Sequence, residues 1–208
     1  MDLSELRKQF EARLSSLEND ARRAFYPIDR IGYAPFPIAM YAFATIDYFS
    51  SFWAGWNDKR SRPKTDKRSQ KKRMADFLEK YLRYPQKESQ LAIDVWRHKL
   101  MHTAEPKRLK EGQMTYEWLI ADRDSNHWKL VKLGEDMFEL RIGIFNLIDD
   151  LRAGIFGPSG YFDELNRSVS LQDKCQAFIE EATSYTFRLE EGVKVTRYLL
   201  NQLPRRIR

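Results

Sequence analysis

The sequence predicts a mainly α fold: a helical bundle with long terminal helices and one small β-hairpin, in a single domain covering residues 1–208. Three observations predict it. Long segments at both ends repeat apolar residues every three or four positions. The most apolar run of the chain lies between them, and apolar and polar residues alternate in one stretch near 114–133. Hydrophobic residues make up 42% of the chain, which is normal for a globular protein.

The first two helices are predicted from spacing and hydropathy. Residues 2–25 carry apolar side chains at helical spacing, namely Leu3, Leu6, Phe10, Leu14, Leu17, Ala21 and Ala24. Residues 38–56 form an apolar run that is long enough to span a bilayer. Asp47 lies near its middle, where insertion into a membrane would cost ~3 kcal/mol. We therefore interpret this run as a buried central helix.

Two further helices and a hairpin are predicted in the middle of the chain. The helices cover about 70–83 and about 87–103. Their inward side chains are predicted to be Met74, Phe77, Leu78 and Tyr81 in the first, and Ala92, Val95, Trp96 and Leu100 in the second. Alternation over 114–120, the turn-forming letters DRDSN and a returning run over 127–133 then predict a β-hairpin.

Helical spacing resumes over 140–156 and is broken by FGPSG at 156–160. The last helix is predicted over about 171–203, where apolar residues form a heptad-like seam. Two interpretations of this seam stay open. The two terminal helices pack on each other, or the seam is a dimer interface.

Positive charge is concentrated in one run, although the whole chain carries a net charge of +6. Residues 59–73 contain nine Lys or Arg and one acid, Asp66. We predict a flexible basic loop at about 58–70 that attracts a phosphate backbone. The alternative is a solvated linker with no partner. The RNA-binding candidates are Lys59, Arg60, Arg62, Lys64, Lys67, Arg68 and, further along the chain, Lys107.

Cysteine usage and the first residues predict the compartment. A single cysteine, Cys175, excludes an intrachain disulfide and fits a reducing cytoplasm. The opening letters MDLSELRKQFEARL are amphipathic and charged, unlike a signal peptide. We expect a cytoplasmic protein with no membrane partner and no cofactor.

The stretch WRHKLMHT, residues 96–103, contains two of the three histidines of the chain. Asp94, His98 and His102 are spaced by four residues, so successive side chains are offset by only ~40° on a helix. This spacing suits a metal site. However, Lys99 occupies the position where a zincin needs glutamate, and the cationic side chains nearby would repel a metal ion. A second interpretation is an ordinary polar helix end, where cations complement the helix dipole.

The third interpretation is phosphoryl chemistry on RNA. A histidine with a pKa near ~6.5 can take the 2′-OH proton or protonate the leaving oxygen. A guanidinium offsets the negative charge that develops on the phosphate. Arg97 and His102 supply both groups, but five residues separate them by ~140° on a straight helix. They converge if the helix end loosens before Pro106, if Arg97 uses its reach, or if a second copy completes the site.

These residues resemble the Arg-polar-x-x-x-His motif of the HEPN superfamily, the higher eukaryotes and prokaryotes nucleotide-binding domains. The matching letters are RHKLMH at 97–102, at the end of the predicted helix LAIDVWRHKLMH, with EPK following at 105–107. The likeness to bacterial single-domain HEPN proteins extends from about residue 36 to 155. The resemblance implies an HEPN-like helical bundle.

The resemblance also implies an activity and a partner. Active HEPN proteins are metal-independent endoribonucleases, and many dimerise through the motif-bearing helix. Arg97 and His102 carry over as catalytic, and His98 as the polar second position. A toxin or phage-defence role with a protein antitoxin or regulator is typical of such proteins. Other members are catalytically silent proteins that bind RNA or nucleotides, so this alternative stays open.

Two residues outside the motif have competing interpretations. Asp47 is either a hydrogen-bonded buried acid or a possible cleft acid turned toward the active site. His127 opens a predicted strand and is expected to be structural.

Overall fold

The computed structural model describes residues 2–26, 34–56, 62–95 and 108–184. In this part of the chain, helices pack on one another and a four-stranded mixed sheet packs against them. The predicted fold class, a mainly α HEPN-like bundle with one small hairpin, is therefore wrong. The described fold is α/β, because the segment between the fourth and fifth helices builds a whole sheet rather than a single hairpin.

The first two helices are α1, Leu3–Phe25, and α2, Pro35–Ala54. The Asp2 carboxylate caps α1 by accepting a hydrogen bond from the backbone N–H of Ser4 at 2.8 Å. Both helices confirm the spacing predicted from the sequence, and α2 is buried along much of its length. Among the described residues, no helix has the length and apolar character that a membrane crossing requires.

The third and fourth helices form the middle of the chain. Helix α3, Gln70–Phe77, continues as a π-helical turn, Leu78–Leu82, and α4 covers Gln86–Ile93. The predicted inward side chains that the structure describes are buried, namely Met74, Phe77, Leu78, Tyr81, Ala92 and Val95. The helix predicted over 87–103 is confirmed at its start. Residues 96–107 lie outside the described part of the chain.

The sheet contains β1, Leu109–Glu111; β2, Met114–Ala121; β3, Lys129–Lys132; and β4, Met137–Gly143. Their spatial order is β1-β2-β4-β3, with β2 and β4 parallel and the outer pairs antiparallel. The predicted hairpin between the second and third strands is wrong, because β4 lies between them.

The helix predicted over 140–156 is wrong at its start, where the chain forms β4 instead. Residues 137–143 are extended, and α5, Ile144–Phe156, begins directly after them. Leu140 and Ile142 are completely buried on the inner face of the strand. Their spacing from the apolar residues of α5 also fits a helix, so the pattern alone did not locate this boundary. The predicted break after residue 156 is confirmed.

The last described helices are α6, Tyr161–Arg167, and α7, Val169–Ser184. Leu171, Cys175 and Phe178 of the predicted seam are buried, and the Phe178 ring lies 4.6 Å from that of Phe52 in α2. Both α1 and α7 pack on α2, so the central helix separates the described parts of the terminal helices. The seam beyond residue 184 lies outside the described residues.

Candidate functional site

The predicted catalytic residues Arg97, His98 and His102 lie outside the described residues, as do three RNA-binding candidates, Lys59, Arg60 and Lys107. The structure describes what holds the chain on either side of the motif.

Helix α4, which leads into the motif, is fixed from the interior. Ala92, Ile93 and Val95 have no exposed surface. The indole N–H of Trp128 donates to Ser89 Oγ at 3.2 Å, which fastens the start of α4 to the loop before β3. The position and direction of the chain at Val95 are therefore set by core packing.

Asp94, the last acid before the motif, forms an ion pair with Lys71 of α3. The two side chains are 41% and 32% exposed, respectively, so the pair remains accessible to solvent. The sequence suggests Asp94 as a possible metal ligand but does not indicate its pairing with Lys71. The two residues are too far apart in sequence for any spacing pattern to connect them. Within the described part of the chain, no three His, Cys, Asp or Glu side chains come together as a metal site.

Within the basic run, the segment that precedes α3, residues 62–69, is built around Asp66. Its carboxylate accepts hydrogen bonds from the Arg68 guanidinium at 2.6 Å and from the Trp56 indole N–H at 2.8 Å. The bonds from Arg68 hold the pKa of Asp66 well below its usual range. In the sequence, Asp66 is the single acid in a run of cations, and this feature could have identified it as the residue that binds the neighbouring arginine.

Two of the predicted RNA-binding arginines take part in this packing. The Arg68 guanidinium lies 4.8 Å from the centre of the Trp53 ring, and that of Arg62 lies 6.0 Å from the centre of the Trp56 ring. In contrast, Lys64 and Lys67 are exposed and form no ion pair within the described residues. Of the described RNA-binding candidates, these two lysines are the ones available to bind a phosphate.

Arg73 ends the basic run in sequence but lies in the protein interior. Its side chain has no exposed surface and is paired with the Asp47 carboxylate. It also donates to the Trp56 carbonyl at 2.6 Å and to Ser50 Oγ at 3.2 Å. Asp47 is 21% exposed and accepts a further bond from Gln70 Nε2 at 3.0 Å. Asp47 therefore joins α2 to α3 as a hydrogen-bonded acid.

His127 belongs to a hydrogen-bond chain at the opposite end of α4 from the motif. Its Nδ1 accepts from the backbone N–H of Gly143 at 3.0 Å, so Nε2 carries the proton and donates to Tyr84 Oη at 2.7 Å. The Tyr84 hydroxyl donates to Asp150 Oδ2 at 2.6 Å. Burial lowers the pKa of His127 to about 4, although Asp150 and Asp124 oppose the shift. The neutral imidazole is a structural group at neutral pH.

We expect the buried His127 to make the protein lose stability on acidification from pH 6.5 to about 4. The unfolded chain binds a proton on this histidine near the ordinary pKa, whereas the folded chain resists protonation until the lower one. Unfolding is therefore favoured as the pH falls, by up to ~3 kcal/mol. Urea denaturation across this window measures the effect.

The control for this experiment is His127→Gln, which should flatten the pH dependence. Both proteins carry glutamine at His98 and His102, so that His127 is the only histidine that differs between them. Equal pH slopes with and without His127 would contradict the expectation.

Comparison with known proteins identifies no relative. No protein-family profile, curated protein or solved structure matches the chain. A function for this chain can therefore be inferred only from its own residues and from the motif that they contain.

Proposed function

We propose that this chain is a metal-independent endoribonuclease of HEPN type that cleaves RNA by general acid–base chemistry with Arg97 and His102. The observation that carries the proposal is the ion pair between Lys71 and Asp94. This contact joins the helix that ends the basic run to the last described turn before the motif.

The contact between Lys71 and Asp94 matters because the helix predicted over about 87–103 contains both Asp94 and the motif. Arg97 and His98 follow Asp94 by three and four residues, and such positions share one face of an α-helix. On this predicted helix, the lysine that contacts Asp94 and the first half of the motif belong to the same side. Basic charge and candidate catalytic groups are then neighbours, as RNA cleavage requires.

The two groups supply what metal-free cleavage of RNA needs. His102 accepts the proton of the attacking 2′-OH or gives a proton to the leaving oxygen. The Arg97 guanidinium offsets the charge that develops on the phosphate. The separation of ~140° between the two side chains on one helix favours a homodimer in which two motif-bearing helices share a cleft.

The exposed lysines extend the positive surface. Lys64 and Lys67 precede α3, at whose first turn Lys71 contacts Asp94. Their charges attract a phosphate backbone without reading its sequence, and Lys59, Arg60 and Lys107 add to the same proposal. A toxin or phage-defence role with a protein antitoxin or regulator follows from the resemblance of the motif.

RNA cleavage in excess EDTA tests the proposal. The purified chain should cut RNA as well with EDTA as without it, and the Arg97→Ala/His102→Ala double variant should not cut. Binding of RNA without cleavage would replace this proposal by that of a catalytically silent binding protein. A chain that neither binds nor cuts RNA would overturn the proposal.

Elemental analysis separates the metal interpretation from this one. The proposal expects no stoichiometric metal. One zinc ion per chain that is lost in His98→Ala would indicate the Asp94, His98 and His102 site instead.

A further inference from the structure

Three cations follow one another at the start of α3, and each has an acidic partner. Lys72 pairs with Asp76 of the same helix at 2.6 Å, and the buried Arg73 pairs with Asp47 of α2. Lys71 pairs with Asp94, directly after α4 and three residues before Arg97, whereas Lys72 also donates to Gln86 Oε1 at the start of α4, at 3.3 Å. Of the three cations, Lys71 is the one whose described partner lies nearest in sequence to the motif.

We propose that Lys71 binds a phosphate of the RNA substrate, and that Asp94 holds its ammonium beside the motif until RNA replaces the carboxylate. The proposal rests on the proposed function, and it adds a binding residue and a form of regulation to the same site. Lys71 is not among the RNA-binding residues predicted from the sequence.

The ion pair has the properties that such an exchange needs. Both side chains are partly exposed, so water can hydrate the Asp94 carboxylate when it is released. An ammonium has three N–H donors. Two of them can therefore contact phosphate oxygens of an arriving RNA before the third leaves Asp94. Asp94 also repels phosphates, so its charge opposes RNA binding until the exchange has occurred.

The chain provides a matched control in Lys72. It is adjacent in sequence, carries the same charge and is 47% exposed. Its ammonium contacts Asp76 and, at 3.3 Å, Gln86 at the start of α4, eight residues before Asp94. Neutralising either lysine changes the net charge of the protein equally. Only a local phosphate contact distinguishes the two variants.

The experiment measures the affinity of poly(U) RNA as a function of salt concentration, with His102→Ala in every protein to prevent cleavage. Lys71→Ala should weaken binding about tenfold and reduce the slope of log affinity against log salt by ~0.7, the value for one contact to a single strand. Lys72→Ala should weaken binding less than about twofold. Asp94→Asn should strengthen binding in the presence of Lys71 and strengthen it less in Lys71→Ala, where only the repulsion between Asp94 and phosphate is removed.

Two different failures are distinguishable. If the parent protein does not bind poly(U) or a mixed-sequence RNA, the proposed function fails together with the inference. If the parent binds but Lys71→Ala and Lys72→Ala give equal affinities and slopes, only the role of Lys71 is overturned. Thermal unfolding of each variant shows whether the fold is kept.

Discussion

Arg97→Ala and His102→Ala should each lower the rate of RNA cleavage by ~10²–10⁴, the usual cost of losing one acid–base group. For Arg97 the physical reason is the loss of a cation that stabilises developing charge. For His102 it is the loss of a proton-transfer group. Single-turnover cleavage of a labelled RNA measures both rates.

The pH dependence of the rate separates the two roles. A histidine titrates near ~6.5, whereas a guanidinium stays charged throughout the accessible range. The limb of the pH profile that reports the histidine should therefore disappear in His102→Ala and persist in Arg97→Ala. Arg97→Lys should restore part of the rate, since it keeps the charge but loses the planar fork of donors.

Arg23→Ala is the matched control for the arginine variant. The Arg23 side chain is 83% exposed on α1 and pairs only weakly, at 3.7 Å, with Asp20. This variant should cleave RNA at the rate of the unmodified chain. If Arg97→Ala and His102→Ala also cleave at that rate, the motif does not carry the activity.

The long helices could be predicted because their signal is local. In α1, the apolar residues from Leu6 to Ala21 recur at a spacing that only a helix places on one face, and the structure buries them. The same holds for Met74 and Phe77 in α3. In each case, one segment supplies the whole pattern, and the partner against which it packs does not change the prediction.

The sheet could not be predicted in the same way, because strand pairing is a property of distant segments. Residues 114–121 do form β2, but nothing in their alternation indicates that the neighbour is β4 rather than β3. The parallel pairing of Trp118 with Leu140 requires the chain to pass through β3 first, on the far side of β4.

The charged contacts around the candidate site show the same limit. From sequence, the run 59–73 predicts a basic loop that attracts a phosphate backbone. In the structure, Asp66 fixes Arg68, Asp47 fixes the buried Arg73, and Lys71 pairs with Asp94 at the end of α4. Sequence identified where cations are concentrated, but only tertiary contacts decide which of them are neutralised and which can meet a ligand.

Asp47→Ala should lower the free energy of unfolding by ~3–5 kcal/mol, because it leaves the Arg73 guanidinium in the interior without the Asp47 carboxylate. Other described bonds from Arg73, to Ser50 Oγ and to the backbone carbonyls of Trp56 and Asp47, are to neutral acceptors. Stacking of the guanidinium on the Trp56 ring, at 4.6 Å, keeps it from moving toward water. Urea denaturation at neutral pH measures the loss.

Two comparisons decide whether the buried charge is the cause. Asp20→Ala removes an acid that is 51% exposed and 3.7 Å from Arg23, and should cost ~0–1 kcal/mol. The double variant Asp47→Leu/Arg73→Met removes both charges while filling similar volume, and should be more stable than Asp47→Ala alone. If the double variant is the less stable of the two, the hydrogen bonds of Arg73 matter more than its uncompensated charge. If Asp47→Ala is as mild as Asp20→Ala, the other partners of Arg73 satisfy the buried guanidinium without the Asp47 carboxylate.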